Sequence, residues 1–379
     1  MTMKYINIKY TITLILGMAA ILATGCTSTY TPPDYSKYYW PKEPMRPRLR
    51  LLNIIRTDLD IRDISQSESM FGESVSFKFI KPHSVVVDKD NNIYVTDSYS
   101  KSVFVINEEI GSVRRLNKPG GWYLPLGLGI DNVNNILAVT DDNSVILVDY
   151  KTGNVLRVIK DEGFNRPQGI AFDTVNRFIY IVETRDSAVY KYDYNGNRLA
   201  KLAGPGTGPD GVYYPAGAAL DSKGRLFVVD TMNWKIKIFD KEGEPAGSFG
   251  VHGSVPGQFA RPKGISISKD DIIAITDNDL GVFMLMDDKG RTYTYLGGNG
   301  ARPAEFTVPM GIYIAEDDKI YVVDQVNRRL QVFQMYTDRY YQEHPEADPT
   351  ATNEAATAPA PESQPQQEAA EPAPDNVQQ

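Results

Sequence analysis

Six acidic residues recur along the chain at near-constant spacing, and carboxylates are the groups that hold divalent cations or pass protons. They are Asp97, Asp141, Glu183, Asp230, Asp277 and Asp324, separated by 44, 42, 47, 47 and 47 residues. A second marker keeps the same beat: a Pro-x-Gly-type turn with its proline at Pro82, Pro125, Pro167, Pro215, Pro262 and Pro309. Its middle residue is in turn His83, Leu126, Gln168, Ala216, Lys263 and Met310, a mixed and mostly non-titratable set. A role repeated in every copy accounts for all six acids at once. A carboxylate at a strand end accepts hydrogen bonds from the backbone of the turn that follows. Asn233 and Asn327, three residues after Asp230 and Asp324, suit the same turn. Glu183 is one methylene longer and stands beside Arg185 and Asp186; it is the best acid–base candidate, with an ion-pair network as the plainer account.

The rest of the inventory is thin. There are three histidines, His83, His252 and His344, and one cysteine, Cys26. Zinc takes about three protein ligands, and one cysteine allows neither a thiolate cluster nor a disulfide within the chain. GGNG and GPGTGPDG open no helix after a strand, so they read as connectors rather than phosphate loops.

The elements that carry these residues are short strands. In the fourth copy the turn at Pro215 leads into an apolar run ending at Asp221. A second run, Leu226 to Val229, ends on Asp230, and a third alternates Ile236 and Ile238 with Lys235 and Lys237. A weaker fourth strand follows Gly243. Period-two patterning with turn residues between marks strands. About four strands per 40–50-residue repeat is the pattern of a β-propeller blade, which covers its faces only by packing against neighbours in a ring. The fold class is therefore all-β: a six-bladed propeller of four-stranded antiparallel blades. Blade six ends at Met335 and Tyr336 without an outer strand. The stretch Leu49 to Arg56 has strand character and supplies it, closing the ring from the opposite terminus and leaving no open edge.

The strings GQFARPKGI, VVDTMNWKIKIF and VVDQVNRRLQVF resemble NHL repeats, and the resemblance covers residues 49–336. It implies a six-bladed propeller whose ligands bind where loops converge on the central channel. His83, Leu126, Gln168, Ala216, Lys263 and Met310, with Glu183, are then the channel-mouth candidates. The similar amidating lyases hold zinc with three histidines on this rim. Only His83 stands at a matching type of position, and Gln168 and Lys263 stand where partners would be wanted. Lactonase-type propellers hold calcium through acids and amides, and no acids concentrate at the inner positions here. No metal and no cofactor is expected.

The flanks say where the chain works. Residues 1–25 carry Lys4 and Lys9, a 13-residue apolar stretch from Thr11 to Ala23, and Leu22-Ala23-Thr24-Gly25 before Cys26. This is a signal segment too short to span a bilayer comfortably, and it resembles a bacterial lipobox with Cys26 as the lipidated residue. Thr27, rather than Asp, after that cysteine points to the outer membrane. Residues 26–48 form a Pro- and Tyr-rich tether. Residues 337–379, rich in Ala, Pro, Glu and Gln, read as a disordered acidic tail. The tail holds nine acids and one base, so the formal charge of −8 for the whole chain leaves the propeller close to neutral. That excludes a broad basic face and argues against nucleic acid as a ligand.

The expected function is a non-catalytic binding scaffold of the bacterial cell envelope, anchored in the bilayer through Cys26. It would present loops to a protein partner, with a glycan as the lesser option. The surface-contact candidates are Trp122, Tyr123, Tyr213, Tyr214, Trp234, Arg328 and Arg329, because exposed aromatics and arginines dominate interface energetics. The resemblance implies partners in envelope and electron-transfer assemblies. The alternative is a metal-dependent hydrolase or lyase acting in the channel.

Overall fold

The structure is a computed structural model that describes residues 33–42, 45–62 and 75–348. The expected signal segment at residues 1–25, Cys26 and residues 349–379 lie outside these residues. Six sheets follow one another around a central axis, antiparallel apart from the short strand Gly211–Val212, which runs parallel to the outer strand of blade three. Blade one is Pro82–Val87, Ile93–Asp97, Ser102–Asn107 and Ser112–Arg115. Blades two to five repeat this plan, opening at Pro125, Pro167, Pro215 and Pro262. Blade six is Pro309–Ile314, Lys319–Asp324 and Arg329–Met335, completed by Leu49–Ile55. Leu49 lies opposite Met335 and Ile55 opposite Leu330, so the expected closure is the one observed.

Burial peaks in the second and third strands and falls towards the outer ones. Second strands such as Leu226–Asp230 and Ile273–Asp277 are buried at every position, whereas the outer strand Pro245–Phe249 is largely exposed. Six apolar clusters fill the seams, one between each pair of adjacent blades. Each seam takes a wedge residue three positions before a blade's opening proline: Phe79, Trp122, Phe164, Val212, Phe259 and Phe306, all buried. Burying one such aromatic contributes about 1.5–3 kcal/mol.

The flanks are more ordered than their composition suggests. Tyr39–Trp40 pairs with Leu49–Arg50 as a fifth strand on blade six. Tyr35, Tyr38 and Trp40 pack on the core between blades five and six, so this part of the tether is built into the domain. The disordered tail expected from residue 337 is likewise corrected. Thr337 caps a short helix, Asp338–Glu343, by accepting from the Tyr340 N–H. The Tyr341 hydroxyl donates to the Pro47 carbonyl at 2.7 Å, and the Arg46 guanidinium lies 3.7 Å above the Tyr341 ring. Arg339 bridges Asp270, Asp318 and Glu343. The segments flanking the propeller on either side are thus clasped together. Averaging over a long polar tail hid its first turn of helix.

Candidate functional site

Each blade begins and turns back at the same end of the disc. In register, Pro82 faces Asp97, Pro125 faces Asp141, Pro215 faces Asp230, Pro262 faces Asp277 and Pro309 faces Asp324; Pro167 faces Glu183. The opening prolines, the turns after the acids and the inter-blade connectors therefore share one end. This opening end surrounds the mouth of the central channel.

The six acids serve the backbone there. Asp97 accepts from the N–H groups of Ile80 and Lys81, Asp141 from Tyr123 and Leu124, and Glu183 from Asn165 and Arg166. Asp230 accepts from Tyr213, Asp277 from Ala260 and Arg261, and Asp324 from Thr307. Most donors lie 16 to 18 residues back, in the connector, and Asp97, Glu183 and Asp277 also hold the turn that follows. The acids are buried. Burial pushes Glu183, Asp230, Asp277 and Asp324 above the usual carboxylate range, and the N–H bonds pull the other way. Glu183 is thus a backbone clamp and does not line the channel, which corrects its placement at the mouth. Asp186 meets the Asn165 amide instead of joining an acid–base pair with it.

The channel itself is a cavity of about 250 Å³. His83, Gln168, Ala216, Lys263 and Met310 all line it; Leu126 does not. Leu126 is buried, and its carbonyl accepts from the Thr96 hydroxyl at 2.6 Å. The residue after each middle position explains the turn. A Cβ on Gly127 would lie 1.6 Å from the Gln168 carbonyl oxygen, one on Gly217 2.8 Å from that of Lys263, and one on Gly264 2.4 Å from that of Met310. Neighbouring inner strands approach so closely that only glycine fits. Blade one places Ser84 there, and its hydroxyl accepts from the Leu128 N–H at 3.3 Å. At its far end the channel meets Phe172, Leu220, Ile267 and Tyr313.

Charge at the mouth is lopsided. Burial, then the charges of Lys263 and Arg166, push the His83 imidazole down to about 3, so it is neutral at physiological pH. Its Nδ1 is buried without a hydrogen-bond partner in the chain. Burial and the nearby Arg261 and Arg166 bring the Lys263 ammonium down to about 8. Gln168 accepts from the Thr184 hydroxyl through Oε1, which leaves its amide N–H groups for the channel. The cations come from residues directly before a proline, Lys81, Arg166 and Arg261. A chain-wide charge sum could not show this.

The surface candidates divide. Tyr123, Tyr213 and Tyr214 are exposed at the opening end, the last two packed edge to face with centroids 5.3 Å apart. Tyr99, Met232 and Val326 are exposed in turns of the same end, where Arg328 also lies open. Trp122 and Arg329 are corrected to interior roles. Trp122 is a seam wedge whose indole N–H donates to the Leu116 carbonyl at 2.8 Å. Arg329, 1% exposed, donates to Asp324 and to the carbonyls of Ala301, Arg302 and Glu305. Trp234 is half-buried, bonded to the Ala260 carbonyl and packed on His252.

Residues 79–106 match the NHL repeat, and residues 139–256 match the SMP-30/gluconolactonase/LRE-like region. The chain is a six-bladed β-propeller whose first blade matches the NHL repeat. No curated protein matches the sequence of this propeller. Among solved structures it is similar to a catalytically inactive histidine-to-alanine variant of virginiamycin B lyase from Staphylococcus aureus bound to quinupristin. That likeness is 16% identical, covers 76% of this chain and 99% of the other, and has a TM-score of 0.52. An auxiliary nutrient binding protein from Bacteroides thetaiotaomicron is 15% identical over 67% of this chain and 69% of its own, with a TM-score of 0.55. A nidogen/laminin complex contains a chain 17% identical over 70% of this propeller and 97% of its own, at a TM-score of 0.52. At these identities the likeness is one of fold.

The channel residues of this propeller do not fit a divalent cation. The strand-end carboxylates are spent on backbone N–H groups, and Lys263 faces the space a metal would take. Among the described residues no three His, Cys, Asp or Glu side chains gather closely enough to hold an ion.

Proposed function

We propose that this propeller is a non-catalytic binding scaffold of the bacterial cell envelope, lipid-anchored through Cys26 at the outer membrane, whose opening end receives a protein partner. One observation carries the reading. The opening end exposes Tyr99, Tyr123, Tyr213 and Tyr214 with Met232, Val326 and Arg328, while every strand-end carboxylate is consumed inside the blades. Aromatic side chains held on rigid turns lose little conformational freedom on binding, which suits an interface anchor. The short basic and apolar N-terminal segment ending at the single cysteine supports the anchor. Relatives of the same fold include binding proteins as well as a lyase, so fold alone does not choose between them.

The test is cross-linking in native membranes followed by gentle solubilisation, with wild type compared to a Tyr123→Ser, Tyr213→Ser, Tyr214→Ser variant. A stoichiometric envelope protein captured by the wild type and lost in the variant supports the scaffold. A lone chain carrying one equivalent of calcium or zinc would instead favour a channel hydrolase or lyase.

A further inference from the structure

Several cations of the opening end act on the channel mouth. Lys263 lines the cavity, and the charges felt there come from Arg166 and Arg261; those felt by His83 come from Lys263, Arg166 and Lys81. Lys263, Arg166 and Lys81 form no ion pair among the described residues, whereas Arg261 pairs with Asp279 at 3.5 Å. Asp279 is the single acid whose charge reaches Lys263 appreciably, and it is the weakest of the influences there. The strand-end carboxylates Asp97, Asp141, Glu183 and Asp277 are hydrogen-bonded to backbone N–H groups inside the blades. An ammonium half-withdrawn from water and left without a counter-ion is costly, and a bound anion relieves that cost.

The neutral groups beside Lys263 complete a receptor. The Gln168 amide N–H groups are free, its oxygen being held by Thr184. His83 contributes an uncharged ring that lines the cavity and is hydrogen-bonded to the Leu126 backbone. Below them, Phe172, Leu220, Ile267 and Tyr313 line an apolar floor. A space of about 250 Å³ suits a small molecule rather than a polypeptide loop.

We propose that the channel mouth is a binding site for a small oxyanion, a carboxylate or phosphate group, paired with Lys263, hydrogen-bonded by Gln168 and drawn in by Arg166 and Lys81. The site is separate from the rim tyrosines, so it stands or falls independently of the protein partner.

The experiment is isothermal titration calorimetry on the full chain in detergent, with inorganic phosphate in one arm and succinate in the other, at low ionic strength. Binding of either with a Kd at or below about 1 mM is expected, and the arm that binds tells which oxyanion chemistry the site takes. Lys263→Met should weaken it by about tenfold or more, the usual loss for a charged hydrogen-bond partner. The affinity for succinate should fall as pH rises through about 8, where Lys263 loses its proton. Arg166→Gln, at an exposed position, gives a second variant with an intact core and should weaken binding severalfold. No heat in either arm, or equal affinity in wild type, Lys263→Met and Arg166→Gln, would overturn the proposal.

Discussion

The Nε of Arg329 donates to the Asp324 carboxylate at 2.7 Å, and both side chains are shut off from solvent. The same guanidinium satisfies three carbonyls of the connector before blade six. Blade six is where the ring closes, so this pair fixes the last connector against the last blade. Arg329→Ala leaves the buried Asp324 carboxylate without its counter-ion and the Ala301 and Arg302 carbonyls without their donor. The expected loss is about 3–5 kcal/mol, read from urea unfolding followed by tryptophan fluorescence. A surface arginine would lose well under 1 kcal/mol.

Asp277 collects N–H groups on both oxygens: Ala260 and Arg261 from the connector, Asp279 and Leu280 from the turn. Asp277→Asn keeps the shape but aims an NH2 group at N–H donors. A cost of about 1–3 kcal/mol follows from the unsatisfied donors. An Asn variant as stable as wild type in the same urea titration would show that the carboxylate is not the clamp.

Gly264→Ala brings a methyl to within 2.4 Å of the Met310 carbonyl oxygen, a backbone atom that cannot swing away. The blades must part at that seam. Overpacking of this kind costs about 1–3 kcal/mol, and calorimetric melting should show the fall in Tm.

His83 titrates at about 3 in the fold against 6.5 ordinarily, and Lys263 at about 8 against 10.5. Between each pair of values the unfolded chain holds a proton that the folded chain lacks, so stability rises with pH in both windows. The His83 contribution is present above pH 6.5 and is lost as pH falls towards 3. The Lys263 contribution grows from pH 8 to 10.5. Lys263→Met should therefore be more stable than wild type at pH 7, with the gap closing by pH 10.5. Chemical denaturation of both proteins across that range measures the difference directly, and a constant gap would contradict it.

Deleting residues 49–55 removes the strand that pairs with Arg329–Met335. It exposes a long buried edge and the core around Phe333. The expected result is loss of the cooperative melt and aggregation on size-exclusion chromatography. A monomer with an unchanged melting curve would refute closure by this strand.

Much of the fold was legible because two markers, the opening prolines and the strand-end acids, share a period that a ring of equal blades requires. The wedge residues were also legible in principle, since Phe79, Trp122, Phe164, Val212, Phe259 and Phe306 keep a fixed offset from those prolines. Read one at a time, Trp122 looked like an exposed aromatic. Arg329 was misread for a related reason: its neighbour Arg328 is exposed, and adjacent strand-edge residues face opposite ways. The site was legible only in part. Five of the six middle positions reach the channel, but Leu126 turns into the blade, which spacing cannot foretell. The gathering of Lys81, Arg166, Arg261 and Lys263 at one mouth is a product of the ring and has no signature in local sequence.

The clasp between the segments flanking the propeller has a mechanical consequence. Tension passing along the chain from the N-terminal side meets the contacts of Arg46 and Pro47 with Tyr341 and Asp348 just before Leu49. These contacts act as a strain relief, as at the end of a cable. They share the load with the closing strand Leu49–Ile55, on which the ring depends.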